Sequence, residues 1–318
     1  MKSWHKIVIA LVVIPLIAEG AFWWSPFHEL SKGQLAIIGF SDSNPDIPGI
    51  YLFNPLFRFW RHLSTDNLYP HYIAWSPDGK KIAFTYSVSS TNSSIYDIPA
   101  TGIAILTLEN EQTQQVYIPP SKESLNVVTW SPDGKSLVFD VYENNTLMAF
   151  RRLDITTGKL QSIPFPTSIQ PQYFGINHLE VAQNNDYVIG GYGIFIAPAN
   201  LINLRPITPL GDLSGFFLTP DRKEITFSCT QSALCNYSID TNEITKTYLG
   251  TLPTNRDVSD GNWSYDEEDV VYRSQGGGEE APHYIMLVNI QNQQNYIIYK
   301  LNSWFGPDVW RLAWYSAK

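Results

Sequence analysis

Two histidines are the first residues in this chain that could do chemistry. The sequence has 6 histidines among 318 residues, and His71 and His178 fall in or beside segments that are predicted below to be inner strands. An imidazole titrates near neutral pH and ligates metal ions, so either residue could serve an acid–base or metal site. The alternative is that each imidazole is simply accommodated by hydrogen bonds within its strand.

No catalytic motif accompanies these histidines. The sequence contains no Gly-x-Ser-x-Gly elbow, no His-Glu-x-x-His pair, no Cys-x-x-Cys pair and no glycine-rich nucleotide loop. No serine has an activating base beside it in the sequence. The residues therefore predict no catalytic group, and His71 and His178 are kept as candidate binding residues.

The two cysteines could form a covalent link. Cys229 and Cys235 lie in segment 225–237, which has the pattern of a β-hairpin, so their side chains could face each other. In an oxidising compartment such a pair would form a cross-strand disulfide. The alternative is a pair of small buried hydrophobic side chains.

One acidic segment could bind a cation. Segment 42–46 reads DSNPD, and its alternating oxygen donors resemble part of a calcium loop, although the glycine and distal glutamate of an EF-hand loop are absent. Turn formation explains the same residues equally well. We therefore predict no cofactor, with calcium at this segment as the alternative.

A repeated phrase predicts the elements that would position these residues. Segment 74–84 reads AWSPDGKKIAF and segment 129–139 reads TWSPDGKSLVF, with weaker copies at 218–227 and 263–272. Recurrence at roughly 40–55 residues is typical of repeat architectures. Ser-Pro-Asp-Gly suits a tight turn, because proline presets φ and glycine supplies a positive φ. Each copy therefore predicts a strand, a turn and a second strand.

The repeated units have four strands each, which is typical of a propeller blade. Six second strands are predicted, beginning near Gln34, Lys81, Ser136, Tyr187, Glu224 and Asp269. The copy at Tyr187 has lost both the tryptophan and the proline. Segment 312–316 is a first strand with no second strand after it, and segment 35–40 is a second strand with no first strand before it. We expect the C-terminal strand to complete the first blade, which would remove an open sheet edge.

These motifs resemble those of the TolB-like six-bladed β-propellers, whose WD-like repeats carry the Trp-Ser-Pro-Asp-Gly-Lys signature. The resemblance covers about residues 34–318 and implies an all-β propeller. Arg222 and Glu267 stand where the family has glycine, and Tyr265 where it has proline, which puts the geometry of those turns in question. TolB itself carries an α/β domain before its propeller. The propeller here is expected to begin almost at once, so a role in the Tol–Pal system is not expected to transfer. Nor is the following α/β-hydrolase domain of the prolyl oligopeptidase-like enzymes expected.

The N-terminus predicts export. Lys2 and Lys6 precede an apolar run over 7–18, whose length fits a signal peptide better than a spanning helix. Small residues around Ala18 suit cleavage, whereas residues 21–24 extend the apolar run and favour an uncleaved anchor over 7–24. A buried structural helix is the third alternative. We therefore divide the chain into residues 1–24, a signal peptide or membrane anchor, and 25–318, the propeller.

The tryptophans fall into two groups. Those at the motif position are predicted to pack between blades: Trp75, Trp130, Trp263 and Trp314. By contrast, Trp304, Phe305 and Trp310 break the repeat and join the last blade to the closing strand. In the resembled fold such connections lie on the face that binds partners, so these aromatics suit a protein or carbohydrate surface. A plug that packs the ring closure is the alternative.

Charge and composition limit the choice of partner. The formal net charge is −9, and no run of basic residues suggests nucleic-acid binding. We expect an exported, monomeric six-bladed propeller, periplasmic or otherwise extracytoplasmic, that acts as a non-catalytic protein-interaction module. Its partner would be a protein of the cell envelope or extracellular space. The alternatives are a hydrolase or lyase with a site at the channel mouth, and a receptor for a glycan or small ligand.

Overall fold

The described residues form six antiparallel sheets, one for each blade. The computed structural model of the chain describes residues 33–41, 44–54, 59–88, 100–165, 176–208, 215–230, 233–248, 258–264, 266–275, 283–292, 294–301 and 312–316. All regular structure in these residues is β-strand. No helix in these ranges has the length and apolar character needed to cross a membrane. The predicted signal or anchor, 1–24, lies outside them.

The first three blades follow the predicted order of strands. The first contains β1 (Gly33–Ser41), β2 (Asn44–Asn54) and β3 (Phe59–Leu63), together with β25 (Leu312–Ser316). The second contains β4 (Tyr69–Trp75), β5 (Lys81–Ser87), β6 (Gly102–Thr107) and β7 (Gln112–Tyr117). The third contains β8 (Glu123–Ser124), β9 (Val128–Trp130), β10 (Ser136–Glu143), β11 (Thr146–Asp154) and β12 (Leu160–Pro164).

The other three blades have four strands each. The fourth contains β13 (His178–Val181), β14 (Tyr187–Gly190), β15 (Ile194–Ala197) and β16 (Arg205–Pro206). The fifth contains β17 (Phe216–Leu218), β18 (Glu224–Thr230), β19 (Ala233–Ser238) and β20 (Ile244–Tyr248). The sixth contains β21 (Val258–Trp263), β22 (Asp269–Gln275), β23 (His283–Asn289) and β24 (Gln294–Leu301). The predicted starts of the six second strands are thus confirmed to within one residue.

The C-terminal strand closes the ring, as predicted. β25 pairs antiparallel with β1, with Leu35 opposite Trp314 and Ile37 opposite Leu312. The inner strands contact one another in the order β4, β9, β13, β17, β21, β25 and back to β4. Leu35, Ile37 and Leu312 join an apolar cluster with residues of the sixth blade, including Val271. The closure is therefore both a strand pairing and a hydrophobic contact.

The turn between inner and second strands has the same hydrogen bonds in four blades, and the fourth-blade turn, closed by Ala182 N–H to the Asp186 carbonyl, is one residue shorter. In the second blade, Ser76 Oγ donates to Asp78 Oδ1 at 2.6 Å, and the Gly79 N–H donates to the Ser76 carbonyl at 2.9 Å. The fourth turn residue is left-handed in every copy: Gly79 (φ 64°), Gly134 (φ 68°), Asn185 (φ 68°), Arg222 (φ 58°) and Glu267 (φ 59°). The substitutions at Arg222 and Glu267 therefore leave the turn geometry unchanged.

Three motif tryptophans are buried between neighbouring blades, as predicted. The indole N–H of Trp75 donates to the Ala313 carbonyl at 3.0 Å, and that of Trp130 donates to the Ala74 carbonyl at 3.1 Å. Trp263 instead donates to Thr226 Oγ1, at 2.7 Å. Each indole thus joins its own blade to the preceding one. The side chain of Trp314 lies outside the described residues.

Candidate functional site in the central channel

The inner strands enclose a cavity of about 620 Å³ along the propeller axis. We call it the channel cavity. Residues of all six inner strands line it, and residues of the motif turns, such as Pro77, Pro132 and Pro220, bound it at one end. Because the inner strands run side by side around one axis, a single position in the repeat places six side chains on its wall.

One position of the repeat forms a ring around this cavity. It is the residue before the motif tryptophan position, and its register partner on the second strand is equivalent in each blade. We call these residues the channel ring: Ala74, Thr129, Glu180, Phe217, Asn262 and Ala313. All six are described, and Glu180 is the one ionisable member. The channel ring therefore carries a single carboxylate among otherwise uncharged side chains.

Glu180 is held by residues from the blades on both sides. Thr129 Oγ1 donates to Glu180 Oε2 at 3.2 Å, and Arg222 Nη1 donates to the same oxygen at 3.2 Å. Arg222 Nη1 also donates to the Val181 carbonyl at 2.6 Å. Burial raises the pKa of Glu180, but its contacts with His178, Arg222 and Thr129 outweigh this effect and hold the pKa below its ordinary value. The carboxylate is therefore ionised at neutral pH.

His178 lines the channel cavity next to this carboxylate. Its side chain is packed between the rings of Tyr72, with centroids 6.1 Å apart, and Phe216, 4.5 Å apart. His178 Nε2 lies 3.6 Å from Glu180 Oε1, beyond hydrogen-bond distance. Neither ring nitrogen has a hydrogen-bond partner among the described residues. The predicted channel histidine is thus present, packed between two aromatic rings.

His71 does not line the channel cavity. Pro70 pairs with Tyr86 and Tyr72 pairs with Thr85, so His71 is the extra residue of a β-bulge. A bulge redirects a side chain from its regular row. His71 Nε2 instead lies 3.0 Å from Ser87 Oγ, and burial lowers the pKa of His71 to about 4. The structure brings only His178, of the two candidate histidines, into the cavity.

The remaining predicted binding residues lie outside the described part of the chain. These are Trp304, Phe305 and Trp310, in segment 302–311, and the side chains of the candidate calcium segment, 42–46. Their roles stay predictions. Among the described residues, no group of three or more His, Cys, Asp or Glu side chains is placed to hold a metal ion.

The two cysteines form a disulfide in the fifth blade, with Cα atoms 5.7 Å apart. The two cysteines are not register partners, however, as two directly opposed residues of a regular hairpin would be. Cys235 pairs with Phe227, and Cys229 falls at an irregularity between Ser228 and Thr230. A local bulge therefore turns Cys229 towards its partner.

Sequence reasoning missed Glu180 and Arg222 as site residues. The signals were present: a carboxylate at the channel-ring position of a degenerate repeat, and a cation at a turn position that favours glycine. A smaller cavity of about 260 Å³ beside the turns is lined by four carboxylates, those of Asp221, Glu224, Asp240 and Glu267, and Asp221 and Glu267 line the channel cavity as well. Burial raises the pKa of Glu267, and the charges of Asp221 and Glu224 raise it further.

Comparison with known proteins identifies the fold but not a family. No family model matches the chain, and no curated protein matches it. The crystal structure of TolB from Acinetobacter baumannii is similar, with TM-score 0.60 and 17% identity over 83% of this chain. The match covers 62% of that TolB, so this chain spans less than two thirds of its length.

Two further solved structures share the architecture. The putative TolB from Agrobacterium tumefaciens matches with TM-score 0.56 and 14% identity, over 89% of this chain and 97% of its own. An oligogalacturonate lyase in complex with manganese matches with TM-score 0.53 and 14% identity, over 79% of this chain and 70% of its own. The chain is therefore a TolB-like six-bladed propeller in fold, and this fold serves both TolB and a lyase.

Proposed function

We propose that this chain is an exported, non-catalytic protein-interaction module of the cell envelope. The observation that carries the proposal is the open end of the channel cavity. There the motif turns of successive blades surround a recess of about 620 Å³ lined by polar and apolar groups. A recess of this size and mixed lining suits a short segment of a partner protein. The likeness in fold to two TolB structures supports the same proposal.

Export is supported by the disulfide and by the N-terminal sequence. The Cys229–Cys235 bond persists in oxidising compartments and is rare in the cytosol. Mass spectrometry of the native protein should find either a chain that begins near Ala21 or membrane association with Met1 retained. A soluble cytoplasmic protein with an intact N-terminus would contradict export and leave the fold untouched.

Site-specific photocrosslinking in cells tests the interaction itself. A photoreactive residue at Gln183, which is exposed and lines the channel cavity, should give a discrete adduct with one envelope protein. The matched control is Gln161, which is exposed on an outer strand and should give none. Equal adducts at both positions, or none at either, would contradict a partner at the channel mouth.

The opposite end of the ring is a second proposed partner surface. Trp304, Phe305 and Trp310 follow the last strand of the sixth blade in the sequence, and we propose that they contribute to this surface. A photoreactive residue at Phe305 tests this surface in the same experiment. An adduct at Phe305 without one at Gln183 would assign the partner to this face. Adducts at neither would leave both surfaces without support.

A hydrolase or lyase is the second candidate, favoured by one observation. His178 lies 3.6 Å from an ionised Glu180 on the wall of the channel cavity, and such a pair could exchange a proton with a substrate. Because an oligogalacturonate lyase shares the fold, oligogalacturonate with added manganese is the first substrate to assay. Turnover that His178→Asn abolishes would support this candidate, and turnover unchanged by that substitution would exclude the pair.

A further inference from the structure

The Glu180 carboxylate has spare capacity to accept hydrogen bonds. Its Oε2 accepts from Thr129 and Arg222, but its Oε1 accepts none among the described residues, since His178 Nε2 is 3.6 Å away. A carboxylate has about four acceptor positions. An ionised oxygen on the wall of a cavity, with positions unfilled, is suited to a donor supplied by a ligand.

The charges around the channel cavity favour a cation. Three carboxylates line it, those of Glu180, Asp221 and Glu267, against the cations of Arg222 and Lys223. His178 also lines it and adds a positive charge only when it is protonated. Arg222 already donates to Glu180 and to a carbonyl. Glu224 and Asp240, which line the neighbouring 260 Å³ cavity, add to the negative potential. An anionic ligand would meet a net negative surface, whereas a cation would be attracted to it.

The rest of the channel ring favours an aliphatic stem behind that cation. Ala74 and Ala313 lie across the ring from Glu180 and are partly exposed, so this wall of the cavity is apolar. A flexible chain of methylene groups can pack along such surfaces while its charged end reaches a carboxylate. A compact metal ion would leave this apolar wall uncovered.

We propose that the channel cavity binds an alkylammonium group. The ammonium donates to Glu180, and the methylene stem packs against Ala74 and Ala313. Two sources carry this chemistry: a lysine side chain of a partner segment, and a free aliphatic diamine. The first source rests on the proposed function, whereas the second does not.

Calorimetric titration of the full chain tests the proposal with two probes. One probe is 1,5-diaminopentane, and the other is a short lysine-centred peptide, with the same peptide acetylated at lysine as its control. At least one ammonium probe should bind, and the acetylated peptide should bind at least tenfold more weakly. Binding of the diamine alone assigns a small-molecule source, and binding of the lysine peptide assigns a partner segment. Absence of binding by both, or equal binding of the acetylated peptide, overturns the proposal.

Three substitutions locate the site. Glu180→Gln removes the charge but still accepts from Thr129 and Arg222, so the fold should persist while affinity falls at least tenfold. Glu180→Asp keeps the charge and should retain part of the binding, which separates a binding role from misfolding. Arg222→Gln removes the competing cation and should strengthen binding. Weaker binding in Arg222→Gln would indicate an anion site and would overturn the assignment.

This outcome is independent of the crosslinking experiment. An adduct at Gln183 without ammonium binding leaves the interaction module standing and removes only the alkylammonium proposal. Diamine binding without an adduct supports the alkylammonium proposal and leaves the interaction module without support. A matched control is Glu109→Gln, an exposed carboxylate between β6 and β7 that does not line the cavity, which should change affinity less than threefold. A loss there as large as that in Glu180→Gln would show that binding follows the overall charge and would overturn the assignment to Glu180.

Discussion

The contact between the second and third blades and the contact between the fourth and fifth blades use different chemistry. In the former, the Trp130 indole is buried and donates to the Ala74 carbonyl of the preceding inner strand. In the latter, Leu218 stands at the tryptophan position, and Arg222 donates to the Val181 carbonyl instead. Neighbouring inner strands are thus joined by a tryptophan ring between the second and third blades and by a guanidinium between the fourth and fifth.

This difference has a consequence for the channel. A tryptophan leaves no charge on the channel wall, whereas Arg222 is accompanied by its partner Glu180, the ionised member of the channel ring. The degenerate repeats are therefore the part of the molecule that carries polar chemistry. Arg222 also adopts φ 58°, a conformation that costs a non-glycine residue about 1 kcal/mol or more. We expect this strain where a side chain has a role that glycine could not perform.

Deletion of residues 309–318 should have the largest effect. It removes β25, leaves the buried edge of β1 unpaired and takes away the Ala313 carbonyl that accepts from Trp75. Native stability is only about 5–15 kcal/mol, so the product should be unfolded or aggregated. Thermal melting and gel filtration would show it. A monomer that melts within about a degree or two of the full chain would mean that the C-terminus is not a structural strand.

Trp130→Ala tests the apolar contact. The side chain is almost fully buried, and truncation of a buried aromatic residue costs about 3–5 kcal/mol. Urea denaturation should show this loss, and added salt should not change it, because no charge is removed. A loss below about 1 kcal/mol would show that the indole does not join the blades.

Removal of the disulfide should cost less. Replacement of both cysteines by alanine removes a bond that closes a loop with a sequence separation of 6, and so short a loop limits the chain-entropy contribution to about 2–3 kcal/mol. Thiol labelling of the denatured, unreduced wild-type protein should modify neither Cys229 nor Cys235. Labelling of both would show that they are ordinary thiols.

Glu180→Gln tests the charged contact. With side chains 23% and 20% exposed, the loss of the Glu180–Arg222 ion pair should cost about 1–2 kcal/mol, between surface and buried cases. Since the pKa of Glu180 is lowered in the folded protein, its contribution is present above the ordinary pKa. The contribution disappears as the pH falls through the lowered value. The difference between variant and wild type should therefore vanish in acid and shrink in high salt. A difference independent of pH and salt would contradict a charged contact.

A pair of variants at Arg222 isolates the smallest effect. Both Arg222→Gln and Arg222→Gly lose the guanidinium, but only glycine relieves the left-handed backbone. Arg222→Gly should therefore be more stable than Arg222→Gln by about 1 kcal/mol, measured by urea denaturation. Equal stability of the two would mean that position 222 carries no backbone strain.

The sequence alone was sufficient for the architecture, because that information is local and repeated. A Ser-Pro-Asp-Gly turn followed by alternating apolar residues predicts strand, turn and strand wherever it occurs. Two intact turns and the weaker copies give six predicted second strands and so six blades, and an unmatched strand at each end predicts closure. Tryptophan at a recurring position likewise predicts packing between blades. These inferences need no knowledge of which residues meet across the molecule.

The candidate site depended on contacts that only the tertiary structure decides. Glu180 and Arg222 are far apart in the sequence and meet because neighbouring inner strands lie side by side. A bulge in β4 separates His71 from the channel, while the regular β13 keeps His178 on its wall. Arg222 adopts a left-handed backbone conformation that arginine disfavours. The hydrogen bonds within the turn and the contacts across the blade boundary together outweigh this local preference.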